Sequence, residues 1–126
     1  KIIRSNNDQR SQCVSLCSRS IRVLQRRPET SFPGKIRLLG VSSLNMTSVG
    51  IGQTIAALEA TPKIWDIASS WLILSELDCC IKWLYLDPSK LNPGENLASI
   101  NFPVLVSSSS KELEKLLPWA EALMEK

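Results

Sequence analysis

The stretch Thr54-Ile55-Ala56-Ala57-Leu58-Glu59-Ala60-Thr61-Pro62-Lys63-Ile64-Trp65-Asp66-Ile67-Ala68-Ser69-Ser70-Trp71-Leu72 carries three structural instructions in a row. Thr54 to Glu59 is a short apolar run of the kind a buried strand presents, and Ala60-Thr61-Pro62-Lys63 turns away from it. From Ile64 onward Ile64, Ile67, Ala68, Trp71 and Leu74 recur at spacings of three and four, which predicts a helix to about Leu77 with one apolar stripe on a core. Strand, turn and helix in that order form the repeating unit of an α/β domain.

The same alternation extends in both directions. Upstream, Cys13 to Cys17 reads as a short strand. Ser18 is placed to cap a short charged helix around Ile21, Val23 and Leu24, which ends before Pro28. Thr30 to Gly34 is a loop, Lys35 to Leu39 a brief strand, and Val41 to Ile51 a helix. Downstream, Cys80 to Leu86 has the aromatic and β-branched content of a strand, and a long loop with prolines and asparagines runs to Asn101. Phe102 to Val106 is the last strand. Ser109 and Glu112 have capping-box spacing for a final helix, whose buried stripe is expected at Leu113, Leu116, Leu117, Ala120 and Met124 and which Pro118 should kink. The expected fold is a single α/β domain over residues 1–126, with a mostly parallel or mixed sheet and helices on both faces.

Composition narrows the chemistry. A chain of 126 residues with 44% hydrophobic and 21% charged residues has the balance of one globular domain. The apolar run at Trp71 to Leu74 is broken by Ser75 and Glu76, so no membrane span is expected. The first residues, Lys-Ile-Ile-Arg-Ser-Asn-Asn-Asp, lack the apolar core of a secretory signal. Their lack of an initiator methionine leads us to expect a piece of something longer. The absence of histidine removes the Ser-His-Asp triad, the Cys-His pair and histidine-ligated metal sites. Cys13, Cys17, Cys79 and Cys80 match neither a zinc ribbon nor a small disulfide scaffold, and read as buried thiols of a cytoplasmic protein.

The net charge of +3 hides an asymmetry. Lys1 to Arg37 holds nine basic and two acidic residues, against six and ten thereafter. Clustered arginines can displace counterions from phosphates, but these are not interleaved with aromatics that stack on bases, so nucleic acid is not the expected partner.

Asp66, in the first turn of the predicted helix, admits two readings. As a structural group it satisfies free amides and opposes the helix dipole. As a functional group it offers a hard oxygen to a cation such as Mg²⁺, which usually needs more than one carboxylate and a substrate phosphate.

The segments Leu39-Gly40-Val41-Ser42-Ser43-Leu44-Asn45-Met46, Val49-Gly50-Ile51-Gly52, Glu59 and Trp65-Asp66-Ile67-Ala68 occur in an order and at intervals that resemble the C-terminal half of the inositol monophosphatase family. The resemblance covers Arg37 to Leu77 and implies a metal-dependent phosphomonoesterase. It places Asp66 as a metal ligand, Glu59 as the acid that bonds substrate hydroxyls, and Gly40, Val41 and Ser42 as the sugar-contacting turn. Val41 departs from the family's usual serine, and Leu77-Asp78-Cys79 from its Glu-Ala-Gly-Gly ending. The family's Gly-Glu-Glu and Asp-Pro-Ile-Asp-Gly-Thr motifs, which supply the other metal ligands and the water-activating threonine, occur nowhere in the chain. The resemblance therefore implies Mg²⁺ and a phosphorylated polyol or sugar for the complete enzyme, and little activity for this chain alone. A non-catalytic binding or interaction domain that kept the fold is the competing expectation. Apolar surface left uncovered in a half-molecule makes a homo-oligomer the expected assembly.

Overall fold

The computed structural model describes residues 12–28, 30–92 and 94–125. Five strands, β1 (Cys13–Leu16), β2 (Lys35–Arg37), β3 (Ala56–Glu59), β4 (Cys80–Trp83) and β5 (Val104–Ser107), form one sheet in the order β2-β1-β3-β5-β4. Among the described residues four α-helices accompany them: α1 (Val23–Arg26), α2 (Ser42–Gly50), α3 (Ile64–Glu76) and α4 (Ser110–Met124). The fold is α/β, as the alternation predicts.

Strand faces alternate, so each helix pair has its own core. Val14, Leu16, Ala56, Leu58 and Leu105 pack with Val23 of α1 and with Leu116, Trp119, Ala120 and Leu123 of α4. Ala57, Val104 and Val106 point the other way, onto Met46 and Val49 of α2 and Ile67 and Leu74 of α3. Thus α1 and α4 cover one face of the sheet while α2 and α3 cover the other.

The sheet is mixed. β1 pairs parallel with both β2 and β3, whereas β5 pairs antiparallel with β3 and with β4. The long connection from residue 84 to residue 103 carries the chain back so that β5 enters between β3 and β4 in the opposite sense. That strand starts two residues later than the sequence suggests. Phe102 donates its N–H to the Pro62 carbonyl at 2.9 Å, outside the ladder, and Pro103 has no N–H to give.

Other local differences have equally local causes. Ser18 does not cap; Ser20 does the anchoring, accepting from the Cys17 N–H at 2.7 Å and donating to the Leu58 carbonyl at 2.8 Å. On α3, Ala68 is exposed, and Ser70 takes the inward place beside Ile67 and Leu74. On α4, Ser109 Oγ accepts from the Glu112 N–H, as its spacing predicts. The buried stripe there is Leu116, Trp119, Ala120 and Leu123, and Met124 is exposed. Trp119 sets that rotation: Phe32 meets its ring edge-on at 5.0 Å, and the Arg27 guanidinium lies 5.2 Å from the ring centroid. The helix continues through Pro118 to Met124.

Among the described residues, arginines of the basic end bond within the fold. Arg26 donates to the Ala122 and Leu123 carbonyls at the end of α4, at 2.7 and 3.0 Å, and Arg37 donates to Cys13 Sγ.

Phe102 has no exposed surface and is the largest of the fully buried side chains. Phe102→Ala is expected to lower unfolding stability by about 3–5 kcal/mol. Leu72→Ala, at a position 65% exposed, should change it little. Urea denaturation of the two variants checks the contrast.

Candidate functional site

The chain leaves β1 toward β2 on one side of it, then crosses back over β1 to place β3 on the other side. Open α/β sheets bind ligands beyond the carboxyl ends of strands, where the winding direction reverses. In this sheet that point lies at Leu16, Cys17 and Ser18 after β1, and Leu38, Leu39 and Gly40 after β2. A cleft of about 170 Å³ opens there, walled by Leu16, Cys17, Ser18, Leu38, Gly40, Ser42 and Asn45.

Gly40 enters the turn before α2 with φ of +82°, a left-handed conformation that side chains resist, and a Cβ there would meet nothing within 4 Å. Val41 holds the extended N-cap position of α2 and is half exposed. Its isopropyl group cannot cap the helix, and it is not a wall of the cleft. Ser42, the first helical residue, is. Of the three turn residues singled out in the sequence, Gly40 and Ser42 therefore line the cleft while Val41 faces out.

Glu59 ends β3. Strand alternation turns it onto the α2 face, where it is 1% exposed. Asn45 Nδ2 donates to its Oε1, and Ser42 Oγ donates to its Oε2 at 3.3 Å. Burial pushes the Glu59 carboxyl above the ordinary glutamate range, and the nearby Asp66 charge adds to the rise; hydrogen bonds from Asn45, Cys17 and Ser42 pull in the opposite direction. Glu59 is thus a buried, hydrogen-bonded carboxyl group and not a solvated strand-end charge.

Asp66 sits at the third position of α3 and accepts the Lys63 N–H on Oδ2 at 2.8 Å. It is a helix-start carboxylate, as one of its two readings requires. It also lies close enough to Glu59 to act on it electrostatically. The two acids therefore belong to one neighbourhood, although Asp66 is not a wall of the cleft itself.

Two members of the neighbourhood were not singled out from sequence. Asn45 is fully buried, and its Oδ1 has no hydrogen-bond partner. Its spacing of three from Ser42 puts both on one helix face, the signal by which it could have been found. Cys17, expected as a buried thiol, is only partly buried; it reaches Glu59 and accepts the Ser20 N–H on Sγ at 3.2 Å. Only the fold brings it there.

Among the described residues, no three acidic, cysteine or histidine side chains converge on a point that could hold a metal ion. Mg²⁺ needs octahedral oxygen coordination. Asp66 offers one carboxylate, and Glu59 is held by Asn45 and Ser42. These residues alone do not fit the ion. Nor is any described helix long and apolar enough to cross a membrane.

A glutamate whose folded pKa is raised contributes stability that is fully present below the ordinary glutamate range and is lost as pH rises through the raised value. Glu59→Gln removes that dependence, and the Asn45 amide can turn its Oδ1 toward the new donor. The variant should therefore gain stability relative to the wild type as pH is raised from acid to neutral, measured by denaturation at several pH values.

No protein-family model and no curated protein matches the sequence. Solved structures do share the fold, and they are inositol monophosphatase family structures. The Thermotoga maritima IMPase TM1415 aligns with 98% of this chain at 21% identity and a TM-score of 0.64, over 46% of its own length. An inositol monophosphate-bound IMPase-II of staphylococcal origin aligns with 95% at 21% identity and 0.63, over 48% of its length. An IMPase/NADP phosphatase complexed with Mg²⁺ and phosphate aligns with 98% at 20% identity and 0.58, over 43% of its length. The chain spans less than half of each.

Proposed function

We propose that the chain is the C-terminal half of an inositol-monophosphatase-like phosphomonoesterase, supplying polyol contacts and one metal ligand to a catalytic site that further polypeptide completes. The observation that carries this reading is the buried Glu59 carboxyl, held by Ser42 and Asn45 beside a cleft at the carboxyl ends of β1 and β2, with Asp66 acting on it electrostatically. A carboxyl group and a hydroxyl at the edge of a small cleft suit the hydroxyls of a polyol. Gly40 leaves backbone room for the ring. The likeness of fold to a structure holding inositol monophosphate agrees with this substrate class.

Asp66 is the proposed metal ligand. Its Oδ2 satisfies the start of α3, and a carboxylate has acceptor capacity beyond one such bond. Mg²⁺ is the ion in view, by the same likeness. When bound in a complete site, such an ion polarises phosphate and activates water. This chain's own part is to orient the polyol through Glu59, Ser42 and Gly40, and to hold Asp66 in place through the Lys63 amide. The 126-residue chain alone then hydrolyses little. A cytoplasmic setting suits Cys17, whose thiol must stay reduced to keep its contact with Glu59.

Two measurements test the reading. With Mg²⁺ and inositol monophosphate, the chain should show almost no phosphate release, and Asp66→Asn should change nothing measurable. Robust turnover that Asp66→Asn abolished would overturn the incomplete site. Titration with unphosphorylated inositol, followed by amide NMR, should shift Gly40, Ser42 and Asn45 with weak affinity. Glu59→Ala should weaken that binding at least about tenfold, on the order of a lost charge-assisted hydrogen bond. Binding that ignored Glu59→Ala would remove the polyol assignment.

A further inference from the structure

One polar group in the wall of the cleft beside β1 is left unsatisfied. Asn45 has no exposed surface, its Nδ2 is spent on Glu59, and its Oδ1 has no hydrogen-bond partner although the residue helps to wall the cleft. A buried acceptor without a donor is costly, so the cleft has room and need for an O–H or N–H group beside Asn45.

Cys17 belongs to the same wall. It follows β1 directly and is partly exposed, and its Sγ accepts the Ser20 N–H at 3.2 Å while its S–H donates to the buried Glu59 carboxyl. An amide aimed at sulfur favours the thiolate, and a carboxyl group beside the S–H gives its proton somewhere to go. Access and activation therefore coincide here. Cys13 receives Arg37 Nε at 3.3 Å, but it is only 5% exposed. Cys79 and Cys80 lie at the far edge of the sheet, three strands from β1 and on the order of 14 Å away.

We propose that Cys17 is an oxidation site, at which a small hydroperoxide such as hydrogen peroxide converts the thiol to a sulfenic acid that fills the cleft. Sulfur attacks one peroxide oxygen, so that an S–O bond forms as the O–O bond breaks. The thiol proton passes to Glu59 and from there to the leaving hydroxide, which departs as water. Sulfur gives up an electron pair and the peroxide takes it. The new S–O–H is the donor that Asn45 Oδ1 lacks.

Cleft size selects the oxidant and preserves the product. At about 170 Å³ the cleft is well below the roughly 300–1,000 Å³ of pockets for drug-sized ligands, so hydrogen peroxide enters where a peptide thiol that would resolve the sulfenic acid does not. The chain's other cysteines cannot resolve it either. Cys13 lies four residues back along the same strand, about 13 Å away, whereas a disulfide needs Cα atoms within roughly 7 Å. The oxidised sulfur therefore stays beside Gly40 and Ser42, where a ligand would sit, and it no longer offers S–H to Glu59. Oxidation closes the cleft. The modification holds whichever ligand the cleft serves, and only its effect on polyol binding rests on the functional reading above.

Timed exposure of the 126-residue chain to hydrogen peroxide tests this, with denaturation at each time point in iodoacetamide, which caps thiols, and dimedone, which caps sulfenic acids. Mass spectrometry then reads each cysteine. Cys17 thiol should disappear at least about tenfold faster than Cys13, Cys79 or Cys80, and the dimedone adduct should appear at Cys17. Glu59→Gln, whose amide cannot take the proton, should slow that loss at least about fivefold, with far-UV circular dichroism confirming the fold. Equal loss at all four cysteines, an adduct confined to another cysteine, or a Cys17 rate that ignores Glu59→Gln in the folded variant would each overturn the proposal. Unphosphorylated inositol should protect Cys17. Selective oxidation that inositol does not slow supports the modification site and counts against the polyol assignment, so the two readings fail separately.

Discussion

A carboxyl group taken out of water is the constraint around which the α2 side of this molecule is arranged. Glu59 is 1% exposed at the end of a central strand, and an isolated carboxylate so placed would cost several kcal/mol. The fold answers with donors from two directions: Ser42 and Asn45 from the first turn of α2, and Cys17 from the end of β1. Meeting that demand fixes where α2 begins, and hence why Gly40 must turn the chain in a left-handed conformation just before it. Groups that compensate a buried acid are also the groups that a polyol hydroxyl would meet. Under the proposed function, structure and recognition would thus draw on the same few atoms.

Asp66 takes up the structural one of the two readings that the sequence sets against each other, and the other is the proposal made above. Its bond to the Lys63 amide is what any helix of this length benefits from, a stabilisation of about 1 kcal/mol. That bond also immobilises the carboxylate. Under the proposed function, a ligand fixed before the metal arrives would lose less freedom on binding, so capping and coordination would be compatible in the same side chain.

Much of the fold was legible because local signals agreed with the global arrangement. The strand and helix between Ala56 and Glu76 follow from an apolar run, a proline turn and a spacing of three and four. Asp66 was visible as an acid at a predicted helix start, whereas Glu59 was singled out only through the resemblance to the inositol monophosphatase family. What remained hidden depends on contacts distant in sequence. The antiparallel entry of β5 between β3 and β4 is decided by the return of a long loop. The buried face of α4 turns on the packing of Trp119 against Phe32 and Arg27, some ninety residues away. Cys17 joins the Glu59 cluster only because β1 and β3 pair, and Ser20, unlike Ser18, finds the Leu58 carbonyl for the same reason.

The two faces of the sheet have been finished differently, and the difference bears on what the molecule does. On the α1–α4 side, charged residues do structural work: Arg26 closes the end of α4, and Arg27 packs over Trp119. Salt in the medium weakens such contacts only where they are exposed. On the α2–α3 side, charge is nearly absent outside the Glu59 and Asp66 neighbourhood, and small hydroxyl side chains at Ser43, Thr47 and Ser70 bring the two helices close. Close approach of α2 and α3 keeps the Ser42–Asn45 turn and the Asp66 turn in a fixed relation, since one begins each helix.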